Sequence, residues 1–265
     1  MRRTFAKSAT AKSATANVER FQAHLKTKCL AKTHRVMITS TALVKSTLRH
    51  AMRQARASRD KQERAKASRA ICARLWKLLW PPDLRSPATE KAALEADAAR
   101  LQEALAGGGA IAVYLATEEE ACVDVLARRL LARGIRVVAP VVRTMGDNWN
   151  REMAFFDLRD LDAVRIRAFG VREPKLEGTA LLSGEIAVYL VPGLAFGRDG
   201  ARLGQGGGFY DRALAQARES NALFVGVCFN YQLIESVPIE PHDQKVALVV
   251  TESDTFLTNA ARANN

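Results

Sequence analysis

The chain has 265 residues, of which 48% are hydrophobic and 6% aromatic, a composition typical of an ordinary α/β domain with a sizeable core. No run approaches about 18 consecutive apolar residues, so the sequence predicts no transmembrane helix and no membrane partner. The four cysteines lie far apart without a Cys-x-x-Cys pair, which argues against a zinc site and a disulfide framework.

The net charge of +12 is concentrated at the front of the chain. Residues 1–80 hold 20 Lys or Arg and 3 Asp or Glu, whereas residues 81–265 hold 20 and 25. A basic front end suggests a nucleic-acid-associated protein, and this stays an alternative function. Because the rest of the chain is mildly acidic, we expect no nucleic-acid partner for the folded body.

Residues 1–41 are rich in Ser, Thr, Ala and Lys, and they repeat Ala-Lys-Ser-Ala-Thr at 6–10 and 11–15. This composition predicts a disordered basic extension, because it offers no sustained apolar face. The segment would also suit an organellar transit peptide, or an over-extended start of translation with the natural start near Met37. We therefore predict a cytoplasmic location, with an organellar one as the alternative.

The rest of the chain is predicted to form a single α/β domain over residues 42–257, followed by a disordered tail at 258–265. Residues 42–80 are strongly helical in composition and end at a Trp-Pro-Pro sequence. Beyond a second predicted helix at 88–106, apolar runs alternate with helical patterns. The predicted strands are 110–115, 136–142, 153–157, 186–191, 223–229 and 246–250, and the helices are 119–132 and 210–218.

This alternation predicts a three-layer αβα sandwich with a mostly parallel, Rossmann-like sheet. Strands rich in Val, Ile and Ala, unbroken by polar residues, are typical of a sheet covered on both faces. Ligands of such folds bind beyond the carboxyl ends of the strands.

A glycine-rich loop at 204–208 links the strand at 186–191 to the helix that follows. Glycines between a strand and a helix N-terminus expose backbone N–H groups, and an oligophosphate is bound by such groups. The loop matches neither Gly-x-x-x-x-Gly-Lys-[Ser/Thr] nor Gly-x-Gly-x-x-Gly, because Phe209 takes the sixth place of the second pattern. From the residues alone, a surface turn stays an open alternative.

Residues 192–212 read Pro-Gly-Leu-Ala-Phe-Gly-Arg-Asp-Gly-Ala-Arg-Leu-Gly-Gln-Gly-Gly-Gly-Phe-Tyr-Asp-Arg, which closely resembles the signature of the 5-formyltetrahydrofolate cyclo-ligase family. The resemblance covers about residues 42–255. The further matching segments are Lys45-Ser46-Thr47-Leu48-Arg49, Tyr114-Leu115 with Glu120, Phe169-Gly170-Val171-Arg172-Glu173-Pro174, and Val237-Pro238 with His242-Asp243 and Thr251-Glu252.

The resemblance implies an enzyme that converts 5-formyltetrahydrofolate, with or without a polyglutamate tail, to 5,10-methenyltetrahydrofolate, ADP and phosphate. It implies ATP and Mg²⁺ as cofactors, and we expect a monomer. Arg202 and Tyr210 are the expected catalytic residues, and Asp211 is the expected metal ligand. The expected nucleotide-binding residues are Lys45, Arg49, Arg202, Leu203, Gly204, Gln205, Gly206, Gly207, Gly208, Phe209 and Tyr210. The expected folate-binding residues are Tyr114, Leu115, Glu120 and Phe169.

Structural roles stay open for several of these residues. Lys45 and Arg49 could lie on a solvated helix face, Asp211 could be a carboxylate of a helix's first turn, and the aromatic residues could belong to the core. His242 is expected to orient its neighbours rather than to act as an acid or base.

The chain departs from the family pattern at four positions. Gly197 replaces an aspartate, Gln205 stands where an arginine is common, and Phe169 replaces a tryptophan. Ala247 replaces an aspartate where a second magnesium-linked carboxylate is expected. A folate- or nucleotide-binding relative with weak catalysis is therefore the second alternative function.

Overall fold

The computed structural model describes residues 41–79, 105, 107–145, 150–167, 170–176 and 178–258. Almost all of the predicted disordered ends, most of the predicted helix at 88–106, and Phe169 lie outside these residues. The two boundary positions are ordered, since Thr41 begins a helix and the buried Thr258 hydroxyl donates a hydrogen bond to the Val246 carbonyl at 2.7 Å. Thr41 and Thr258, which were assigned to the two disordered ends, therefore both take part in the structure of the domain.

The predicted helical stretch at 42–80 consists of two helices, α1 (Thr41–Ala57) and α2 (Lys61–Leu79). The break falls at Asp60, whose carboxylate accepts hydrogen bonds from the backbone N–H groups of Gln62 and Glu63 at 2.7 and 3.2 Å. This is N-terminal capping, which satisfies donors that the new helix leaves unpaired. The break lets the two helices pack against different parts of the molecule.

The remaining elements follow in chain order. They are β1 (Ala110–Ala112), α3 (Asp124–Leu131), β2 (Val137–Met145), β3 (Asn150–Asp157), β4 (Arg165–Ile166), β5 (Arg172–Glu173), β6 (Ile186–Pro192), β7 (Ala195–Gly197), β8 (Arg202–Leu203), α4 (Phe209–Ala217), β9 (Leu223–Val227), β10 (Leu233–Ile234), β11 (Leu248–Val250) and β12 (Thr255–Leu257).

Seven of these strands form the central sheet, in the order β12-β11-β9-β6-β1-β2-β3. The five inner strands are parallel, and the strands β3 and β12 are antiparallel additions at the two edges. The strand order reverses between β1 and β6. In doubly wound sheets the crevice at such a reversal is where ligands bind.

The sheet is covered on both faces, as the sequence predicts. Within β6, Val188 and Leu190 pack with α2 and α3 on one face, whereas Tyr189 and Val191 pack with α4 on the other. Successive side chains of a strand point to opposite faces, so one apolar run supplies both cores. The three-layer αβα sandwich with a mostly parallel sheet is confirmed.

A second sheet of three short strands, ordered β10-β7-β8, lies just after the carboxyl end of β6 and was not predicted. The α1 residues Leu48 and Met52 pack against this sheet in a separate small core with Leu194 and Leu203. This packing brings α1 to the carboxyl-end rim of the main sheet. Across the described residues, none of the helices combines the length and apolar character that crossing a bilayer requires.

Candidate active site

A cleft of about 330 Å³ opens at the carboxyl end of β6, beside the strand-order reversal. Its walls come from α1, the turn after β1, the glycine-rich loop with the start of α4, and the segment before β11. The lining residues are Lys45, Arg49, Glu120, Met153, Pro192, Gly193, Arg202, Leu203, Gly204, Gln205, Gly206, Gly207, Gly208, Phe209, Tyr210, Asp211, Glu240, His242 and Asp243. Every residue predicted from the sequence to bind the nucleotide is among them, together with Asp211 and Glu120.

The glycine-rich loop needs glycine at two positions for backbone reasons. Gly206 and Gly208 have φ angles of 107° and 64°, a region that residues with a Cβ atom rarely adopt. Gly208 is the N-cap of α4. Within the described part of the chain, no backbone hydrogen bond is donated by Gly206, Gly207 or Gly208. Three N–H groups at a helix N-terminus are therefore available to anionic oxygens.

Two arginines of α1 reach this loop. The Arg49 Nε donates a hydrogen bond to the Gly204 carbonyl at 3.0 Å. The Arg53 Nη2 donates to the Gln205 carbonyl at 3.1 Å, and its Nε donates to the Gln205 side-chain oxygen at 3.2 Å. The helix thus supplies cations beside the loop, where Gln205 itself carries no charge. Arg53 was not predicted as a site residue, although its spacing of four from Arg49 places both on one helix face.

Lys45, one helical turn before Arg49 on α1, lines the same cleft in a buried ion-pair cluster. Its ammonium group donates hydrogen bonds to Glu240 at 2.7 Å and to Asp243, and its side chain is only 4% exposed. Burial lowers the pKa of Lys45, but the hydrogen bonds to Asp243 and Glu240 outweigh this effect and raise the pKa overall. Burial raises the pKa of Asp243, and its hydrogen bond with Lys45 brings the net pKa below the ordinary value.

Glu240 was not predicted as a site residue, and Asp243 appeared only within a matching motif. The signal available was the acidic Glu-Pro-His-Asp sequence at 240–243. Ligand atoms of Glu240, His242 and Asp243 lie within 4.8 Å of one another, a spacing that could hold a metal ion. The His242 side chain is 71% exposed and its Nε2 lies 3.8 Å from the Asp243 Oδ1, so its orienting role stays a prediction.

The predicted metal ligand Asp211 lies in the first turn of α4 and is paired with Arg202. The Arg202 Nη2 donates to the Asp211 Oδ1 at 2.8 Å, and the backbone N–H of Gln244 donates to the same oxygen at 3.3 Å. Arg202 is 4% exposed in its side chain, and its Nε has no hydrogen-bond partner among the described residues. A Cβ at Gly204 would lie 2.8 Å from the Arg202 Nη1, so Arg202 lies directly beneath the loop.

Tyr210 follows the loop and lies beside the same arginine, 5.5 Å from the Arg202 Cζ to the ring centroid. Burial raises the pKa of Tyr210, the nearby Glu120 raises it further, and Arg202 opposes the shift. The phenol therefore stays protonated at neutral pH and offers a hydrogen-bond donor to the cleft.

Glu120 lies in a turn after β1, where the sequence had predicted the start of a helix. Its carboxylate accepts a hydrogen bond from the Thr117 N–H at 3.0 Å, and its other oxygen lies 3.8 Å from the Arg56 Nη1. The following helix, α3, begins only at Asp124. The turn places the Glu120 carboxylate in the lining of the cleft that also contains the glycine-rich loop.

Tyr114 and Leu115 do not line the cleft, in contrast to their predicted role as its walls. Leu115 packs in the core between the sheet and helices α2 and α3. The Tyr114 ring lies in the same core, and its hydroxyl donates a hydrogen bond to the Ala121 carbonyl. Both residues therefore hold the turn that carries Glu120. Phe169 lies outside the described residues.

Two departures from the family pattern have structural explanations. Ala247 is not among the residues that line the cleft, and its backbone is hydrogen-bonded to Phe224 and Thr258 near the sheet edge, so the alanine takes no charge from the cleft lining itself. A Cβ at Gly197 would lie 2.5 Å from the Asp199 Oδ1, so Asp199 places a carboxylate close to the missing aspartate. That carboxylate pairs with Lys245 at 2.7 Å.

Comparison with known proteins identifies the family. Residues 41–252 match the family model described as "5-formyltetrahydrofolate cyclo-ligase family". A 5-formyltetrahydrofolate cyclo-ligase from Mycolicibacterium smegmatis is 35% identical over 166 residues, which cover 61% of this chain and 84% of that protein. A protein of the same name from Escherichia coli K12 is 31% identical over 147 residues, which cover 55% of this chain and 79% of that protein.

Solved structures share the fold. The NMR structure of Aquifex aeolicus 5,10-methenyltetrahydrofolate synthetase superposes with a TM-score of 0.61 at 24% identity, covering 81% of this chain and 92% of that chain. A 5,10-methenyltetrahydrofolate synthetase from Mycoplasma pneumoniae gives a TM-score of 0.55 at 22% identity, covering 78% and 98%. The resemblance found in the sequence is thus confirmed, and the chain belongs to the 5-formyltetrahydrofolate cyclo-ligase family.

Proposed function

We propose that the protein uses ATP to convert 5-formyltetrahydrofolate to 5,10-methenyltetrahydrofolate, releasing ADP and phosphate. One observation supports this above the others. The loop N–H groups of Gly206 to Gly208, which have no backbone acceptor among the described residues, share one cleft with cations of α1 and with Glu120. The cleft therefore combines a phosphate-binding end with a carboxylate suited to the donor edge of a pterin.

The chemical problem is that the formyl oxygen is a poor leaving group. Transfer of the γ-phosphoryl group of ATP to that oxygen breaks the bond to ADP and makes the formyl carbon electrophilic. N10 then attacks this carbon and loses its proton, the C–O bond breaks, and phosphate departs. Phosphoryl transfer needs little covalent help, so the protein contributes mainly positioning and electrostatic stabilisation.

The phosphates of ATP would lie on the loop. The N–H groups of Gly206 to Gly208 would donate to their oxygens, with Arg49 beside them. Arg202, beneath the loop, has a buried Nε that no described residue pairs with, and a phosphate would supply its partner. Tyr210, whose pKa is raised by burial, would donate a hydrogen bond toward the reacting oxygen.

Oxygen donors suited to Mg²⁺ lie in the same cleft. Asp211 and Asp243 both line it, and Mg²⁺ is commonly bound by one or two carboxylates together with substrate phosphates. The ion would neutralise charge on the transferred phosphoryl group. Both carboxylates are paired with cations in this structure, so Arg202 and Lys45 would shift toward phosphate as the metal binds.

Folate would occupy the end of the cleft near Glu120, with the Phe209 and Tyr210 rings available as apolar walls. Tyr114 and Leu115 would contribute by fixing the turn that bears Glu120, and Phe169 remains a proposed aromatic wall. Binding of polyglutamylated substrate, a monomeric state and a cytoplasmic location remain predictions, with organellar import as the alternative if residues 1–41 act as a transit peptide.

The test is an absorbance assay. Protein, ATP, Mg²⁺ and 5-formyltetrahydrofolate should produce the near-ultraviolet absorbance of the methenyl product. Lys45→Ala should abolish most of the rate, because it removes a phosphate cation. Gly207→Val should do the same, because even its Cβ would lie 2.9 Å from the Phe209 ring. Arg69→Gln, at an exposed position of α2, is the matched control. No absorbance change with the wild-type protein would overturn the proposal.

A further inference from the structure

A buried arginine lies near the end of α1, behind the folate end of the cleft. Arg56 is 4% exposed, and its Nη2 donates a hydrogen bond to the Gly193 carbonyl at 3.2 Å. Its Nη1 lies 3.8 Å from a carboxylate oxygen of Glu120, and its Nε has no partner among the described residues. Burying a guanidinium is costly unless it is paired, so this position needs an explanation beyond helix composition.

Arg56 does not line the cleft, whereas Glu120 does. The Glu120 side chain is 16% exposed, so it is held between the cleft on one side and the guanidinium on the other. The Tyr231 ring packs in the same region and its hydroxyl interacts with Arg56, but Tyr231 does not line the cleft. Any effect of Arg56 on a ligand in the cleft must therefore be transmitted through Glu120 or through the Gly193 backbone.

The Gly193 backbone is also held by a second side chain, independently of Arg56. The Gln232 Nε2 donates a hydrogen bond to the same carbonyl at 2.9 Å and a second one to Leu194 at 3.1 Å. Loss of Arg56 would therefore leave the backbone before the glycine-rich loop anchored. For the Glu120 carboxylate the remaining hydrogen bond within the described part of the chain comes from the Thr117 N–H, which holds only one of its two oxygens.

We propose that Arg56 is a positioning residue that fixes the Glu120 carboxylate for recognition of the folate substrate. This inference rests on the proposed function, because it takes the occupant of that end of the cleft to be 5-formyltetrahydrofolate. Helix α1 thus carries Lys45 and Arg49, which would contact the phosphates of ATP, and Arg56, which would act on the binding of 5-formyltetrahydrofolate. Its replacement should therefore weaken folate binding and leave ATP binding nearly unchanged.

The experiment is a double-mutant cycle read by calorimetry with 5-formyltetrahydrofolate alone and, separately, with ATP and Mg²⁺. Arg56→Gln should raise the Kd for 5-formyltetrahydrofolate about tenfold, the scale of coupling between contacting charged residues. In a Glu120→Gln background the same substitution should change that Kd less than about twofold, because the carboxylate it positions is gone. The Kd for ATP should stay within about twofold in all variants.

Arg56→Lys tests the same idea with the charge kept. A single ammonium cannot reproduce the fork that contacts Gly193 and approaches Glu120 together, so its loss of folate affinity should be intermediate. If Arg56→Gln shows no cooperative unfolding transition and so is not folded, the folate and ATP affinities are measured on Arg56→Lys instead. Arg69→Gln should bind both ligands like the wild type.

Three results would overturn the inference. These are unchanged folate affinity in both Arg56 variants, an equal loss with and without Glu120, or a loss of ATP affinity as large as that of folate affinity. Each differs from failure of the proposed function, which would appear as a wild-type protein that makes no methenyl product.

Discussion

Replacing Lys45 by methionine tests the ion-pair cluster at the phosphate end of the cleft. The substitution keeps the length of the side chain but leaves Glu240 and Asp243 facing each other with ligand atoms within 4.8 Å. Two unit charges at that distance repel by about 3 kcal/mol at an effective dielectric constant of 20. Water reduces this figure, because the Glu240 side chain is 35% exposed, whereas Asp243 is only 11% exposed. We expect the free energy of unfolding to fall by about 2–3 kcal/mol.

The assay is urea unfolding at pH 7.5 without ligands, with Lys66→Met at an exposed position of α2 as the control. A loss of that size would lower Tm by about 5–10 °C for a domain of this length. Adding Asp243→Asn to Lys45→Met should restore part of the stability, because one of the two facing charges is removed. A loss below about 0.5 kcal/mol, as for an ordinary surface substitution, would refute the reasoning.

The difference in unfolding free energy between the wild type and Lys45→Met should depend on pH in a defined direction. The pKa of Asp243 is lowered in the folded protein, so its contribution is present above the unfolded pKa of about 3.9 and is lost as pH falls through the folded value. The pKa of Lys45 is raised, so its contribution is present below about 10.4 and is lost as pH rises through the folded value. The stability gap between wild type and Lys45→Met should therefore be constant from about pH 5 to 9. A gap that closes within that window would contradict the ion-pair explanation.

Three further substitutions test the glycine-rich loop, its cations and the turn that carries Glu120. Arg53→Gln should raise KM for ATP about three- to tenfold, more at low salt than at high, because it removes an exposed cation beside Gln205; a salt-independent effect would contradict this. Tyr114→Phe should cost about 1–2 kcal/mol of unfolding free energy, measured in urea, because the buried Ala121 carbonyl loses its donor; unchanged stability would show that the hydrogen bond is unimportant. Gly208→Ala should lower stability by about 1 kcal/mol or more and slow turnover, because its φ of 64° disfavours a Cβ; full activity would show that the loop can relax.

The sequence was sufficient for the five inner strands of the main sheet because they are buried on both faces, whereas the edge strand β12 was not predicted. Runs such as Ile186–Val191 are apolar at every position, and this pattern predicts a covered parallel strand. The short strands β7, β8 and β10 contain only two or three residues, too few for any period to show. The break between α1 and α2 was also missed, because Asp60 stands within a continuous helical composition and acts as a cap only through its local backbone.

The site was predictable where a local motif carries it and not where distant residues meet. The loop at 204–208 and its cations Lys45 and Arg49 came from motifs that match the family, and all of them line one cleft. The carboxylates of Glu240 and Asp243 have no local signature that connects them with Lys45. Arg56 could not be distinguished from the other arginines of a basic helix, because only tertiary packing shows that it is buried.

The order of synthesis gives the Lys45 cluster a further consequence. Lys45 is separated by 195 positions from Glu240 and by 198 from Asp243. At a translation rate of about 5–20 residues per second, Lys45 is synthesised about 10–40 s before Glu240 and Asp243. A prematurely terminated chain that stops before residue 240 would thus contain the entire glycine-rich loop and the apolar partners of α1, but would lack the acidic partners of Lys45. Proteases should therefore cleave such incomplete chains at α1 more readily than the complete protein. This cleavage would favour degradation of chains that could bind a nucleotide but not turn it over.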